Sequence, residues 1–142
     1  MSIKARQESI IEDFSMLDGD MEMTIGYLME LGEKLPEFPE SYRTDDNIIK
    51  GCQSKVWLFS EMKEGKVVFF ADSNTAITKG LVSLLVTILS DNTANEILNA
   101  ELFFQEKIGM HRFIGTQRSN GFAAMIKQMQ LFALAMKAKS NA

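Results

Sequence analysis

At 142 residues, of which 46% are hydrophobic and 24% charged, the chain is long enough for one domain with a real hydrophobic core and too short for two. We therefore predict a single domain over residues 1–142. The formal net charge of −4, with the cationic residues scattered along the chain, argues against nucleic-acid binding as the main activity, because such proteins cluster Lys and Arg on one surface.

The single cysteine and the N-terminal segment bear on the cellular compartment. One cysteine cannot form an internal disulfide, and a lone thiol is best kept in a reducing compartment. The first residues place Glu8, Glu12 and Asp13 among apolar neighbours and so lack the apolar core of a secretory signal. The most hydrophobic segment, 81–89, is far shorter than the roughly 20 residues of a membrane-spanning helix. We expect a cytoplasmic protein that does not enter the membrane.

Two helices are predicted before the first proline. Apolar residues recur at helical spacing over 2–17, and again after a break at 18–20. The second helix must end before Pro36, since proline cannot continue a helix and restricts the residue before it. A loop is predicted from there toward Asn47.

A β-hairpin is predicted in the middle of the chain. The segments 56–62 and 66–71 are rich in β-branched and aromatic residues, and Gly65 can adopt the positive φ of a tight turn. Both faces carry apolar residues, so either both are covered or one presents an apolar patch to a partner. Ile48 and Ile49 are a candidate for a short third strand.

Helices are predicted over the rest of the chain. The polar run 72–74 offers N-cap side chains to a central helix whose apolar stripe spans 77–88. Thr93 and Glu96 have the spacing of a capping box, and a long amphipathic helix is predicted over 119–139. The expected fold is α+β, with a small antiparallel sheet of about three strands packed against helices.

Cys52 is the strongest candidate for chemistry. Gly51 on one side and Gln53 and Ser54 on the other indicate a turn, and Lys50 and Lys55 place two positive charges close by in sequence. If these lysines approach the sulfur, they favour the nucleophilic thiolate. We expect an electropositive, mobile environment for this thiol.

Counting residues limits the thiol chemistry that is possible. One cysteine and one histidine are too few for a dithiol redox pair, a structural zinc site or an iron–sulfur scaffold. A hydrolase or acyltransferase that pairs Cys52 with His111 remains possible, as does a partner-binding module in which the thiol is incidental. A single thiolate can also accept one sulfur atom, by attacking the outer sulfur of another protein's persulfide.

Four short motifs resemble those of one known family. The run 47–57, NIIKGCQSKVW, looks like the GCQS-x-VW signature of the SufE family, the sulfur acceptors that work with a cysteine desulfurase. The others keep the family's order and spacing: ELGEKLP at 30–36, ADSNTAITKG at 71–80 and RSNG at 118–121. The resemblance covers nearly the whole chain.

The resemblance implies a role for each matched residue. Cys52 would be the persulfide carrier, and Asp72 and Arg118 would be polar residues near it. The supporting loop would comprise Lys50, Gly51, Gln53 and Ser54.

The resemblance also implies partners and a fold. The sulfur donor would be a pyridoxal-phosphate-dependent cysteine desulfurase of the SufS type, which the protein stimulates, and the recipient an iron–sulfur scaffold of the SufBCD type. Pyridoxal phosphate would belong to the desulfurase, and no cofactor or metal is expected on this chain. Family members share an α+β fold with the IscU-type scaffold proteins, in agreement with the elements predicted above.

One segment departs from the family pattern. Before the matched Arg118 the family usually reads H-L-S-P-x, whereas residues 113–117 read FIGTQ and lack both the histidine and the proline. His111 lies two positions away and is not equivalent to the family's histidine. The sulfur-acceptor scheme needs no general base on this chain, so the departure does not affect that chemistry.

Overall fold

The computed structural model describes residues 1–140, and within them six α-helices accompany a two-stranded antiparallel sheet. None of these helices is both long and apolar enough to cross a membrane. In chain order the elements are α1 (Ile3–Ser15), α2 (Met21–Glu33), two 3₁₀ helices (Glu40–Tyr42 and Asp45–Asn47), β1 (Val56–Lys63), β2 (Lys66–Ser73), α3 (Ala76–Leu89), α4 (Ala94–Leu98), α5 (Phe104–Lys107) and α6 (Met110–Ser140).

The first two helices begin at the residues that sequence chemistry favours. The Ser2 hydroxyl accepts the Ala5 N–H at 3.0 Å, and the Asp20 carboxylate accepts the Met23 N–H at 2.9 Å. Each cap satisfies a backbone donor that has no partner within the helix. The predicted break between α1 and α2 is present, and within it Asp18 (φ 50°) and Gly19 (φ 73°) are left-handed.

The hairpin matches the prediction, but the sheet has two strands instead of about three. Its register pairs Val56 with Ser73 at one end and Lys63 with Lys66 at the other, and both turn residues have positive φ. Ile48 forms only an isolated bridge to Trp57. The third strand cannot extend because a 3₁₀ helix ends just before Ile48 and the turn that carries the cysteine begins at Lys50.

The segment 38–47 covers much of the outer face of the hairpin. The Tyr42 ring stacks on Phe59 at 3.6 Å between centroids, and the Arg43 guanidinium lies 4.9 Å from the centroid of the Trp57 ring. These contacts leave Trp57 and Phe59 half-buried. Of the two possibilities that the sequence left open, the structure therefore shows an outer face that is largely covered.

Helix α3 is the centre of the core. Ten of its 14 residues are buried, and it packs against α2, β2, α1 and α6. Its closest approach is to α2, where a Cβ added at Gly32 would stand 2.8 Å from the Gly80 nitrogen and one added at Gly80 would collide with the Leu28 carbonyl. Only glycine at these two positions allows the two backbones to come so near.

The N-terminus of α3 differs from the prediction. Thr75 is the N-cap residue and makes no side-chain capping bond. Asp72 lies within β2, and Asn74 accepts the Lys55 N–H at 3.0 Å instead of capping the helix. Asp72 and Asn74 thus bind partners that are remote in sequence. Local capping rules do not take such partners into account.

In the C-terminal half of the chain, one element agrees with the prediction from the sequence and another differs from it. The capping box of Thr93 and Glu96 is present. Helix α6 begins at Met110, nine residues before the predicted start, but it is broken at Gly115 (φ 82°, ψ 175°). The apolar periodicity becomes continuous only after this break, which explains why the sequence indicated the second piece alone.

The close contact between α2 and α3 gives a test of stability. Gly80→Ala places a methyl group against the Leu28 backbone and should lower the free energy of unfolding by about 1–3 kcal/mol or more. The matched control is Gly26→Ala in α2, where a Cβ meets nothing within 4 Å, and helix propensity predicts a gain of about 0.5–1 kcal/mol. Urea unfolding would measure both, and equal effects of the two substitutions would contradict the packing described.

Candidate functional site

The turn that carries Cys52 lies against helix α6. The Cys52 Sγ donates a hydrogen bond to the Gly121 carbonyl at 3.4 Å, and the side chain is half-buried. Gly51 has φ +99°, which other residues rarely adopt. A Cβ at Gly51 would stand 3.2 Å from the Ala124 methyl group, so the turn and the helix are in close contact.

A small cavity of about 100 Å³ opens beside the thiol. It is bounded by the cysteine turn, the first turns of α3 and the part of α6 that follows the Gly115 break. Its lining includes Cys52, Ser54, Thr78, Gln117, Arg118 and Gly121. The sulfur therefore faces a partly enclosed space that contains hydroxyl, amide and guanidinium groups.

The residues that follow the cysteine are tied to the start of α3. The Ser54 hydroxyl accepts hydrogen bonds from the Thr75 hydroxyl at 2.9 Å and the Thr78 hydroxyl at 3.3 Å. One residue later, the Lys55 carbonyl accepts the Ser73 hydroxyl at 2.8 Å. Since β1 begins at the next residue, the part of the turn with freedom to move is short.

The electrostatic environment of the thiol differs from the prediction. Burial raises the pKa of Cys52 above its usual value, and no charged side chain offsets that shift. Lys50 and Lys55 are both exposed, and neither lowers the pKa of Cys52 as the sequence led us to expect. The resting side chain is a protonated thiol at neutral pH, and its hydrogen bond to Gly121 is consistent with that state.

Of the two polar residues that the resemblance placed near the cysteine loop, only one lines the Cys52 cavity. Arg118 lines the cavity and donates to the Ile114 carbonyl at 3.5 Å. Asp72 does not line it, and its carboxylate instead pairs with Arg43 at 2.7 Å and Lys79 at 3.4 Å. Sequence reasoning missed Arg43, because its partners come from three separate segments and no local pattern marks them.

The pKa of Asp72 reflects this pairing. Burial alone would raise it, but the hydrogen bond from Arg43, the Ser73 N–H and the charge of Lys79 together lower it. The carboxylate is therefore ionised at neutral pH. It joins the segment before the cysteine turn, through Arg43, to the first turns of α3, through Lys79.

His111 lies outside the Cys52 cavity. It is exposed on the first piece of α6, not in a connection between helices, and its Nδ1 is 3.2 Å from the Ser119 hydroxyl. It lines a separate, mainly apolar cavity with Met110 and Phe122. The structure does not assemble the Cys–His pair that a hydrolase or acyltransferase needs.

Comparison with known proteins identifies the family. The profile of SufE, described as an Fe-S metabolism associated domain, matches residues 8–133. An uncharacterised SufE-like protein of Rhizobium meliloti (strain 1021) is 36% identical over 128 residues, which are 87% of this chain and 91% of the relative. Another, from Rhizobium etli, is 37% identical over 131 residues, covering 89% and 88%.

A solved structure supports the fold independently. The solution structure of a hypothetical protein from Thermus thermophilus superposes with a TM-score of 0.75 at 19% identity, covering 92% of this chain and 94% of the other. At that level of sequence identity, the structural similarity supports the α+β architecture alone.

The chain belongs to the SufE family. Membership supports a role in the sulfur transfer of Fe–S metabolism, in association with components of Fe–S assembly. The resemblance that the four motifs carry is thereby confirmed at the level of the family.

The raised pKa of Cys52 predicts how its reactivity depends on pH. Because alkylation proceeds through the thiolate, the rate of iodoacetamide labelling should rise with pH around a midpoint above that of the same chain unfolded in urea. Mass spectrometry after timed quenching would give both profiles. A midpoint for the folded protein below the unfolded one would show that cations do activate the sulfur.

The Asp72 network predicts a pH-dependent loss of stability. Asp72→Asn removes the charge that Arg43 and Lys79 share and should lower the free energy of unfolding by about 1–2 kcal/mol at neutral pH. Since the folded-state pKa is lowered, this contribution is present above the unfolded pKa and disappears as the pH falls through the folded one. The deficit of the variant should therefore shrink in acid.

Chemical unfolding at several pH values would measure this difference. Asp46→Asn is the control, because Asp46 is exposed and makes no ion pair with any residue in 1–140. A deficit of Asp72→Asn that stays constant down to strongly acidic pH would contradict the role of the carboxylate charge.

Proposed function

We propose that this protein accepts sulfane sulfur on Cys52 from a pyridoxal-phosphate-dependent cysteine desulfurase, stimulates that enzyme by doing so, and passes the sulfur to an iron–sulfur assembly scaffold. The observation that carries the proposal is the position of the only cysteine in the chain. It sits on a surface turn, over a small cavity, held by one hydrogen bond from its own sulfur.

The proposed reaction balances without a cofactor on this chain. The Cys52 sulfur attacks the outer sulfur of the donor's persulfide, an S–S bond forms to Cys52, and the S–S bond within the donor breaks. The net exchange is Cys52–SH plus R–S–SH giving Cys52–S–SH plus R–SH, in which no electrons are gained or lost. Pyridoxal phosphate is needed only by the donor, which generates the persulfide.

The environment of Cys52 suits a sulfur acceptor whose thiol must be protected from oxidation while no partner is bound. Burial keeps the thiol protonated, and a protonated thiol is a poor target for oxidants. The resting form of the acceptor is thereby protected from oxidation between encounters with its partner. Such a lone thiol also favours a reducing compartment, which is why we place the protein in the cytoplasm.

The cysteine–histidine alternative has no comparable support. His111 lies outside the Cys52 cavity and contacts Ser119. Nothing in the site thus favours a hydrolase or acyltransferase over the sulfur acceptor. The alternative nevertheless makes a distinct prediction, since its turnover would depend on His111.

The test is reconstitution with a cysteine desulfurase. The parent protein, mixed with the desulfurase, cysteine and a mild reductant, should raise the rate of sulfide release severalfold, and its intact mass should show one added sulfur. Cys52→Ser should lose both effects, because the accepting atom is absent. His111→Ala is the matched control and should behave like the parent.

Two results would contradict the proposal. Stimulation by Cys52→Ser equal to that by the parent would make the chain a binding module whose thiol is incidental. Turnover of an activated ester that requires both Cys52 and His111 would favour the hydrolase or acyltransferase instead.

A further inference from the structure

The turn that carries Cys52 closes on a short paired base. Ile48 forms an isolated antiparallel bridge to Trp57, and the Ile49 N–H donates to the Val56 carbonyl at 2.8 Å. Residues 50–55 therefore form a loop between two stems, 48–49 and 56–57, which we call the base of the cysteine turn. Because a loop is fixed by the backbone at its two ends, the position of Cys52 depends on what holds this base together.

Arg43 lies across the base of the cysteine turn on the outer face of the hairpin. Its guanidinium stands 4.9 Å from the centroid of the Trp57 ring and 5.3 Å from that of Phe38. The same group forms ion pairs with Glu40 at 3.0 Å and with Asp72 at 2.7 Å. The Arg43 side chain is 28% exposed, so these contacts are partly shielded from water.

The ion pair with Asp72 connects Arg43 to both strands and to α3. In the sheet register Asp72 is paired with Trp57, so one guanidinium contacts facing residues of β1 and β2. Asp72 also pairs with Lys79 of α3 at 3.4 Å, and Ser54 is hydrogen-bonded to two hydroxyls at the start of that helix. The segment before the cysteine turn, the strand after it and the helix that anchors it are therefore linked through the Asp72 carboxylate.

This set of contacts suits arginine in particular. A guanidinium is planar and stays charged, and it can donate to two carboxylates in its plane while its face lies on an aromatic ring. A lysine ammonium can approach one carboxylate as a point charge but cannot reproduce the whole arrangement.

We propose that Arg43 is a positioning residue for Cys52: by joining Trp57 and Asp72 to the segment 38–47, it keeps the base of the cysteine turn closed and so sets how far the resting thiol is sheltered. The inference rests on the proposed function and adds to it a residue that controls the exposure of the acceptor sulfur. Arg43 does not line the Cys52 cavity, so its effect on the sulfur must pass through the base of the turn.

A role in overall stability alone would have a different signature. If loss of Arg43 only weakened the domain, Cys52 would gain reactivity through global unfolding, whose population rises steeply with urea. If the base of the turn opens locally, the thiol reacts in the otherwise folded protein, and the rate depends little on urea because little surface is exposed. The dependence of thiol reactivity on urea therefore separates the two roles.

The test is the rate at which iodoacetamide alkylates Cys52 at fixed pH, in urea concentrations below the unfolding transition. Arg43→Gln should label about tenfold faster than the parent in the absence of urea, and its rate should stay nearly constant as urea is added. Arg43→Lys keeps a charge beside Asp72 and should give an intermediate rate, and it provides the measurement if Arg43→Gln does not fold. Rates equal to that of the parent in the absence of urea would overturn the proposal.

Arg6 supplies the matched control at the opposite end of α3. Its guanidinium donates to the Ile88 carbonyl at 3.2 Å and to the Ser90 carbonyl at 2.6 Å, so it too connects remote segments. Arg6→Gln should lower the free energy of unfolding and leave the labelling rate without urea close to that of the parent. Equal acceleration in Arg6→Gln and Arg43→Gln would assign the effect to a general loss of stability and overturn the positioning role.

A double-mutant cycle tests the route through Asp72. If Arg43 acts through that carboxylate, Arg43→Gln should accelerate labelling much less in the Asp72→Asn background than in the parent. Independent effects of the two substitutions would contradict this route.

The labelling results and the proposed function can fail separately. If Arg43→Gln labels like the parent while the parent still accepts sulfur from a desulfurase, the positioning role is wrong and the proposed function stands. If the parent accepts no sulfur, the proposed function is wrong, whatever the labelling rates show.

Discussion

The close approach of helices α2 and α3 fixes the position of the site. Gly32 and Gly80 allow the two backbones to meet without intervening side chains, and this contact sets where the N-terminal end of α3 stands. Thr75 and Thr78, at the start of α3, then supply the hydroxyls that hold Ser54. Packing in the core thus determines, through one helix, where the turn that carries Cys52 is anchored.

Helix α6 forms the other wall of the Cys52 cavity. The segment that departs from the family pattern lies in this helix and changes its course. The segment 113–117 contains Gly115, whose positive φ divides the helix into two pieces. Ile114 before the break is buried, and Arg118 after it reaches the Cys52 cavity. The matched arginine therefore lines the Cys52 cavity in a segment that lacks the histidine and proline of the family pattern and is broken at Gly115.

Patterns of short range were predicted well from the sequence. Helical periodicity located α1, α2 and α3, the spacing of Thr93 and Glu96 gave the capping box, and Gly65 gave the hairpin turn. In each case the interacting residues are close in the chain, so local rules contain the necessary information. The turn around Cys52 was also indicated by its glycine.

Features that depend on remote partners were not predictable in the same way. Ile48 was expected in a strand, but the length of that strand depends on where the preceding 3₁₀ helix ends. Asp72 was expected to cap α3, but it binds Arg43 and Lys79 across the fold. Lys50 and Lys55 are near Cys52 in sequence, and only the fold shows that they are exposed while the sulfur is sheltered.

The hydrogen bond between Cys52 and Gly121 relates the resting state to the proposed transfer. It requires a proton on the cysteine sulfur, because a carbonyl oxygen can only accept. In a persulfide the inner sulfur is bonded to carbon and to the outer sulfur and has no proton to donate. Sulfur acceptance would therefore remove the bond that holds the side chain against α6, so the empty and loaded forms would differ at the contact that keeps the cysteine sheltered.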